Sequence, residues 1–317
     1  MRGGARRDPT LDWLLDGDPS VRYQALRDLA GAPARAVARA ESAVAREGWG
    51  ARLLAMQDED GRWASGLYTP KWTSTTYTML LLRDLGVAAT NRQARKACSL
   101  LLDRGLYRDG GISYGFGGGE HCVTGMVLSI LCHFRHDDAR LDTLADWLLA
   151  QQMVDGGWNC RLPEGATHAS VHTTINVLEG LRLYALHRGS LLPRRSAQAQ
   201  EAQRRGREFL LVHRLFRSHR TGAVIKPALL QFSFPPRWYY DVLRALDHFQ
   251  AAGAPRDERL AEAIDLVRRK RRKDGRWLLE NVHRGQTYFA LERPGEPSRW
   301  NTLRARRVLA WWDAERR

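Results

Sequence analysis

Apolar residues recur at spacings of three and four along most of the chain, and the runs come in pairs. TLADWLLAQQ (143–152) and RLAEAIDLVRRK (259–270) each carry one apolar stripe with polar residues between, the pattern of a helix half in water. A second set is more uniformly apolar: TSTTYTMLLLRDLG (73–86), CVTGMVLSILCHF (122–134), HTTINVLEGLRLY (172–184), YYDVLRALDHF (239–249) and NTLRARRVLAWW (301–312). The second set, its first three members above all, predicts inner helices; the first, with the helices around Gln93 and Glu208, predicts outer ones. Strand alternation is nearly absent, so the reading is an all-α fold.

The turns between these helices repeat. LLAMQDEDGRW ends at Trp63, LLAQQMVDGGW at Trp158 and VRRKRRKDGRW at Trp277, while LDRGLYRDGGI (ending at Ile112) and RLFRSHRTGAV (ending at Val224) are degenerate copies. The strong copies share Asp-Gly-x-Trp, and two place a glutamine three residues before the aspartate. Glycine permits the left-handed turn that stops a helix, and aspartate can bond nearby backbone amides. A period near 50 residues marks an array of supersecondary units. The expectation is five to six helical hairpins over residues 46–317, forming one domain as a toroid or barrel, with a helical pair in residues 1–45 (LDWLLDG, then DPSVRYQALRDLAG) packed against it.

The 317 residues are 44% hydrophobic, enough for a sizeable core, and no apolar run reaches the roughly 18–20 residues of a membrane span. The N-terminus lacks an apolar signal core, and Cys98, Cys122, Cys132 and Cys160 form no disulfide-like framework, so a reducing cytoplasm is expected. The net charge of +15 comes almost wholly from arginine and suits anionic partners. The densest run, RRKRRK at 268–273, however ends a helix, where cations complement the dipole, and no aromatics interleave with it; nucleic acid ranks last among partners.

Gln-x-x-Asp-Gly-x-Trp (57–63 and 152–158) resembles the QW repeat of squalene and oxidosqualene cyclases and the related repeat of protein prenyltransferase β subunits. The resemblance runs over about residues 50–312 as a repeat pattern and implies an α/α toroid whose lumen takes an isoprenoid or other apolar ligand. The acid motifs of the cyclases, Asp-x-Asp-Asp or Asp-Cys-Thr-Ala-Glu, are absent. Prenyltransferase β subunits bind zinc through Asp-x-Cys at the start of one inner helix and a histidine at the start of a later one. Here Glu120-x-Cys122 and His172 match those places, with glutamate for aspartate; His121 is an alternative to Glu120. Aligning the inner helices on Leu80, Leu128, Leu178 and Leu243 puts Ser74, Cys122, His172 and Arg237 at one level. Carboxylate, thiolate and imidazole with an open position would suit a catalytic zinc.

One turn deeper, Asp241 is a candidate general acid, or the ion-pair partner of Arg237. Trp72, Tyr77, Tyr114, Trp238, Tyr240 and Trp300, with Arg237, are the candidate substrate-binding lining, the aromatics able to stabilise a cation with their faces. Each also has a plainer reading: buried cysteine as inert core, His172 bonded to the backbone, aromatics at helical spacing as packing. Two functions follow. One is a prenyltransferase-like or cyclase-like enzyme, zinc-dependent in the first case; a partner subunit, needed by protein prenyltransferases, is part of that reading. The other is a non-catalytic toroid that binds lipid or a protein.

Overall fold

A computed structural model describes residues 8–115 and 117–314. Among them are thirteen α-helices: α1 (Pro9–Leu15), α2 (Pro19–Asp28), α3 (Ala34–Val44), α4 (Gly48–Leu54), α5 (Thr75–Leu85), α6 (Arg92–Gly105), α7 (His121–His133), α8 (Arg140–Ala150), α9 (Val171–Arg188), α10 (Pro193–Val212), α11 (Val242–Ala251), α12 (Ala261–Arg269) and α13 (Arg299–Asp313). The only sheet among the described residues is a two-residue pair, β1 (Trp277–Leu278) and β2 (Pro297–Ser298), antiparallel with Trp277 opposite Ser298. The fold is mostly helical, as the periodicity indicates, and no described helix is long and apolar enough to cross a membrane. Three helices rather than a pair occupy residues 8–45.

Short polar residues set the helix starts. Asp8 and Asp18 each stand before a proline at the first helical position, and each accepts from the backbone two residues on. Asp18 also accepts from the Trp49 N–H at 2.8 Å, tying α2 to α4. Asn91, Asp241 and Ser298 cap α6, α11 and α13 in the same way.

The corners share one construction. In four of the five copies, the one ending at Ile112 included, the aspartate (Asp60, Asp109, Asp155, Asp274) accepts from the N–H two residues on, at 2.9, 2.9, 3.3 and 3.1 Å. The following glycine has φ of +94°, +95°, +92° or +81°, a region costly for any residue with a Cβ. Each tryptophan is buried and donates its indole N–H to the carbonyl ten residues back: Trp63 to Leu53, Trp158 to Leu148, Trp277 to Val267, at 2.7–2.8 Å. The backbone N–H of the corner residue (Trp63, Ile112, Trp158 or Trp277) donates to a threonine hydroxyl on the next inner helix: Thr75, Thr124, Thr174 or Thr302. Gln57 and Gln152 donate both to their own corner glycine carbonyl and to the next outer helix, at Gln93 and Ala202. The glutamine of the repeated phrase is thus a staple between neighbouring hairpins.

These threonines also correct the sequence alignment by one residue. With Thr75, Thr124, Thr174 and Thr302 equivalent, the residue level with Cys122 and His172 is Thr73, not Ser74. The threonine is the fourth residue of α7, α9 and α13 but the first of α5, which begins a turn late.

Inner helices contact one another in chain order: α5 with α7, α7 with α9, α9 with α11, α11 with α13; α13 then meets α2, α2 meets α4, and α4 meets α5. The tightest contact joins α7 and α9. A Cβ on Gly125 would lie 2.7 Å from the Asn176 carbonyl oxygen, and one on Gly180 2.5 Å from that of Gly125. Two facing glycines let these backbones touch.

Candidate functional site

Glu120 immediately precedes α7 but does not cap it with its side chain, so the carboxylate is free to turn away from the helix end. Cys122 lies in the first turn. Across from it runs the segment after the Trp158 corner, held by the Thr174 bond, and this brings Cys160 into place. The Cys122 N–H donates to the Cys160 sulfur at 3.2 Å, and the Thr173 hydroxyl donates to it at 3.5 Å. The ligand atoms of Glu120, Cys122 and Cys160 all lie within 4.8 Å of one another, and this group could hold a metal ion.

The electrostatics suit a cation. The Cys160 thiol is pushed down by its hydrogen bond from Cys122, against the cost of burial, while that same bond and burial push Cys122 up. Of the two thiols, Cys160 is therefore the one that ionises first. Burial raises the Glu120 carboxyl to about 7, helped by the charge at Cys160 and opposed by Lys71. Its Oε1 is buried with no hydrogen-bond partner. A buried carboxyl oxygen without a hydrogen-bond partner beside two sulfurs is a donor set that could hold a metal ion, and soft sulfur with one carboxylate oxygen is a set that zinc accepts.

His172, expected as the third ligand, is not in this group. Its Nδ1 accepts from the Tyr240 N–H at 3.0 Å, and its ring meets Trp238 and Tyr239 edge-on at 5.6 and 5.9 Å. Burial, with Lys226 second, lowers its pKa to about 4. The plainer reading of His172, backbone-bonded and neutral, is what the geometry gives. His121 stands outside this ligand group: its ring lies 5.0 Å from that of Trp147 and is also near enough to the Cys160 sulfur to favour its ionised form. Cys160 escaped the sequence reading because it lies in a loop outside the helical register. The signal was its place two residues past a corner: the equivalent residues are Ser65, Tyr114 and Leu279, so only this corner offers a thiol.

Glu120, Cys122, Cys160 and His172 all line one cavity of about 1580 Å³. Its apolar wall includes Tyr68, Phe209, Val212, Ile225, Leu229 and Trp238, and its charged lining is balanced, with Lys71, Arg161, Arg220 and Lys226 against Glu120, Asp155, Glu164 and Glu208. Of the expected aromatic lining, only Trp238 reaches it. Trp72 and Arg237 line a separate space of about 130 Å³, and Trp300 another of about 460 Å³. Trp72 donates to the His283 and Arg284 carbonyls, and its ring meets Tyr77 edge-on at 4.7 Å and carries the Arg237 guanidinium at 5.6 Å. Tyr77 is fully buried, Tyr114 donates to the Leu101 carbonyl, and Tyr240 to that of Leu215. Tyr77 and Tyr240 are core residues, and Tyr114 packs half-buried against the core.

The segment from Ser233 to Trp238 divides the interior. Trp238 faces the large cavity, Pro235 and Arg237 the smallest, Pro236 the third, and Phe234 the last two. Asp241 fixes this segment. One carboxylate oxygen accepts from the Ser233 N–H at 3.1 Å and hydroxyl at 2.7 Å; the other caps α11 through the Arg244 N–H at 2.8 Å. Asp241 is 1% exposed, makes no ion pair with Arg237 among the described contacts, and is absent from the lining of the large cavity. Its bonds account for a carboxylate at this position without a reaction.

No protein-family model matches the chain, and no curated protein matches it.

Proposed function

We propose that the chain is a prenyltransferase-like α/α toroid that binds an isoprenoid or other elongated apolar ligand in the large cavity, with a zinc ion held by Glu120, Cys122 and Cys160 at its wall. The closed succession of helix contacts and the repeated corners support the toroid reading. The observation that carries the function is the meeting of three ligand atoms within 4.8 Å, one of them an orphaned buried oxygen, on the wall of a cavity of about 1580 Å³. Glu120, Cys122 and Cys160 would hold the ion, and zinc bound there would supply the Lewis acidity that turns a thiol or water into a nucleophile at neutral pH. Apolar residues of the wall would bind the ligand's chain by burial. Thr173 and the Cys122 N–H favour ionisation of the Cys160 sulfur and orient it.

The test is metal content and ligand binding on the same preparations. The wild-type protein is expected to hold one equivalent of zinc, and Cys122→Ser/Cys160→Ser to lose it while keeping the helical circular dichroism spectrum. His172→Ala keeps the metal if the Glu-Cys-Cys set is right. Absence of zinc from the wild type, with retained binding of a fluorescent farnesyl analogue, would favour the second reading, a toroid that binds lipid without catalysis. That reading draws on the same cavity and on the absence of an acid motif.

A further inference from the structure

The cavity of about 460 Å³ shares no lining residue with the large one and has a different character. It gathers the second half of α2, the last turns of α5 and α7, the middle of α9, most of α11 and the first half of α13. Helix C-termini present carbonyl oxygens, so cations are expected there, and six guanidinium groups line the space against five carboxylates. Most are spent on one another. Glu179 takes Arg244 at 2.8 Å and Arg83 at 3.2 Å; Asp247 takes Arg307 at 2.8 Å and Arg304 at 3.5 Å; Asp28 takes Arg27 and Arg307.

The one cation in excess is Arg182 of α9. It has no ion pair or hydrogen bond among the described contacts, and its Nε is buried without a partner. Two more polar groups of this space are stranded. His248 is 4% exposed with neither ring nitrogen bonded, and Trp300 is 2% exposed with a free indole N–H. A buried donor left unmade costs on the order of 1–3 kcal/mol, so three around one chamber with a net positive charge call for a negatively charged acceptor. Beside them lie Leu183, Phe234, Pro236 and the Trp300 ring.

We propose that this chamber binds a small organic anion, a carboxylate or a phosphate ester, its oxyanion held by Arg182 and His248 and its apolar body lying against Phe234, Pro236 and Trp300. Burial, with Arg182 second, keeps His248 neutral with a pKa of about 3, so the ring offers one N–H to the anion. The site is independent of the metal reading, because the two cavities are separate.

Calorimetry with benzoate, phenyl phosphate and the neutral benzyl alcohol tests it. Wild-type protein should bind benzoate one to one, more weakly as salt rises, and benzyl alcohol at least about tenfold more weakly, as expected for loss of a charge-assisted bond. Phenyl phosphate binding better than benzoate would assign the head group to phosphate esters, and the reverse to carboxylates. Arg182→Gln should bring benzoate down to the level of benzyl alcohol, while Arg204→Gln, at an exposed position, leaves it unchanged. Metal removal should also leave it unchanged, which separates this site from the zinc. No saturable binding of either anion, or equal binding by Arg182→Gln, overturns the proposal. Should that variant not fold, the nitrogen chemical shifts of the His248 ring in wild-type protein decide instead: they move on adding benzoate, or the proposal fails.

Discussion

Asp241 satisfies three donors with one carboxylate, and each donor is buried. Asparagine keeps the shape but has one acceptor oxygen, so either the Ser233 pair or the α11 cap must go unmade. Asp241→Asn should therefore cost roughly 1–3 kcal/mol in a urea titration; an unchanged midpoint would show that the segment from Ser233 is held by other means. The cysteines separate in a similar way. Cys98 and Cys132 are buried in the core, whereas Cys122 and Cys160 line the large cavity. Iodoacetamide on metal-free folded protein should label Cys160 first and spare Cys98 and Cys132, read by peptide mass, and added zinc should protect. Half of the thiol site is legible in sequence. Cys122 and Glu120 sit at a helix start, where periodicity fixes position, while Cys160 depends on how a loop crosses that helix end. His172 has the right helical register, but register does not say which way a ring turns, and the Tyr240 N–H has taken it.

The hairpin corner is the element the sequence exposes most completely. Its aspartate, glycine and tryptophan each have a backbone task, so they recur and can be read. The partner threonine recurs too, but at separations of 12, 12, 16 and 25 residues from the corner residue, which hides it from a search at fixed spacing. Trp158→Phe removes the bond to the Leu148 carbonyl and leaves space around a smaller ring. A loss of about 1–3 kcal/mol is expected, measurable by thermal or chemical denaturation, whereas the fourth copy already tolerates Ile112 at this place. Gly125→Ala strikes the α7–α9 contact, where the new methyl meets backbone rather than a movable side chain. Overpacking of this kind costs about 1–3 kcal/mol or more; a stability equal to wild type would mean the two helices are not in such close contact.

At the scale of the whole molecule, buried neutral histidines link stability to pH. Burial holds His133 and His283 at about 4, and His133 also bonds the Val87 carbonyl at 3.0 Å. The unfolded chain titrates these groups near 6.5. As pH falls below that value the unfolded state takes up protons first, so stability is full above about 6.5 and declines toward about 4, where the native state begins to protonate as well. Urea midpoints should fall between pH 7.5 and pH 5 by an amount that His133→Gln reduces; a flat profile contradicts neutral burial. Periodicity conveyed the paired helices and the repeats, but it is silent about irregular chain, and the segment that partitions the interior is irregular.

That partition has a kinetic consequence. The thiol-bearing chamber and the arginine-lined one have no lining residue in common, with Phe234 to Trp238 between them, so a guest of either should come and go without waiting on the other.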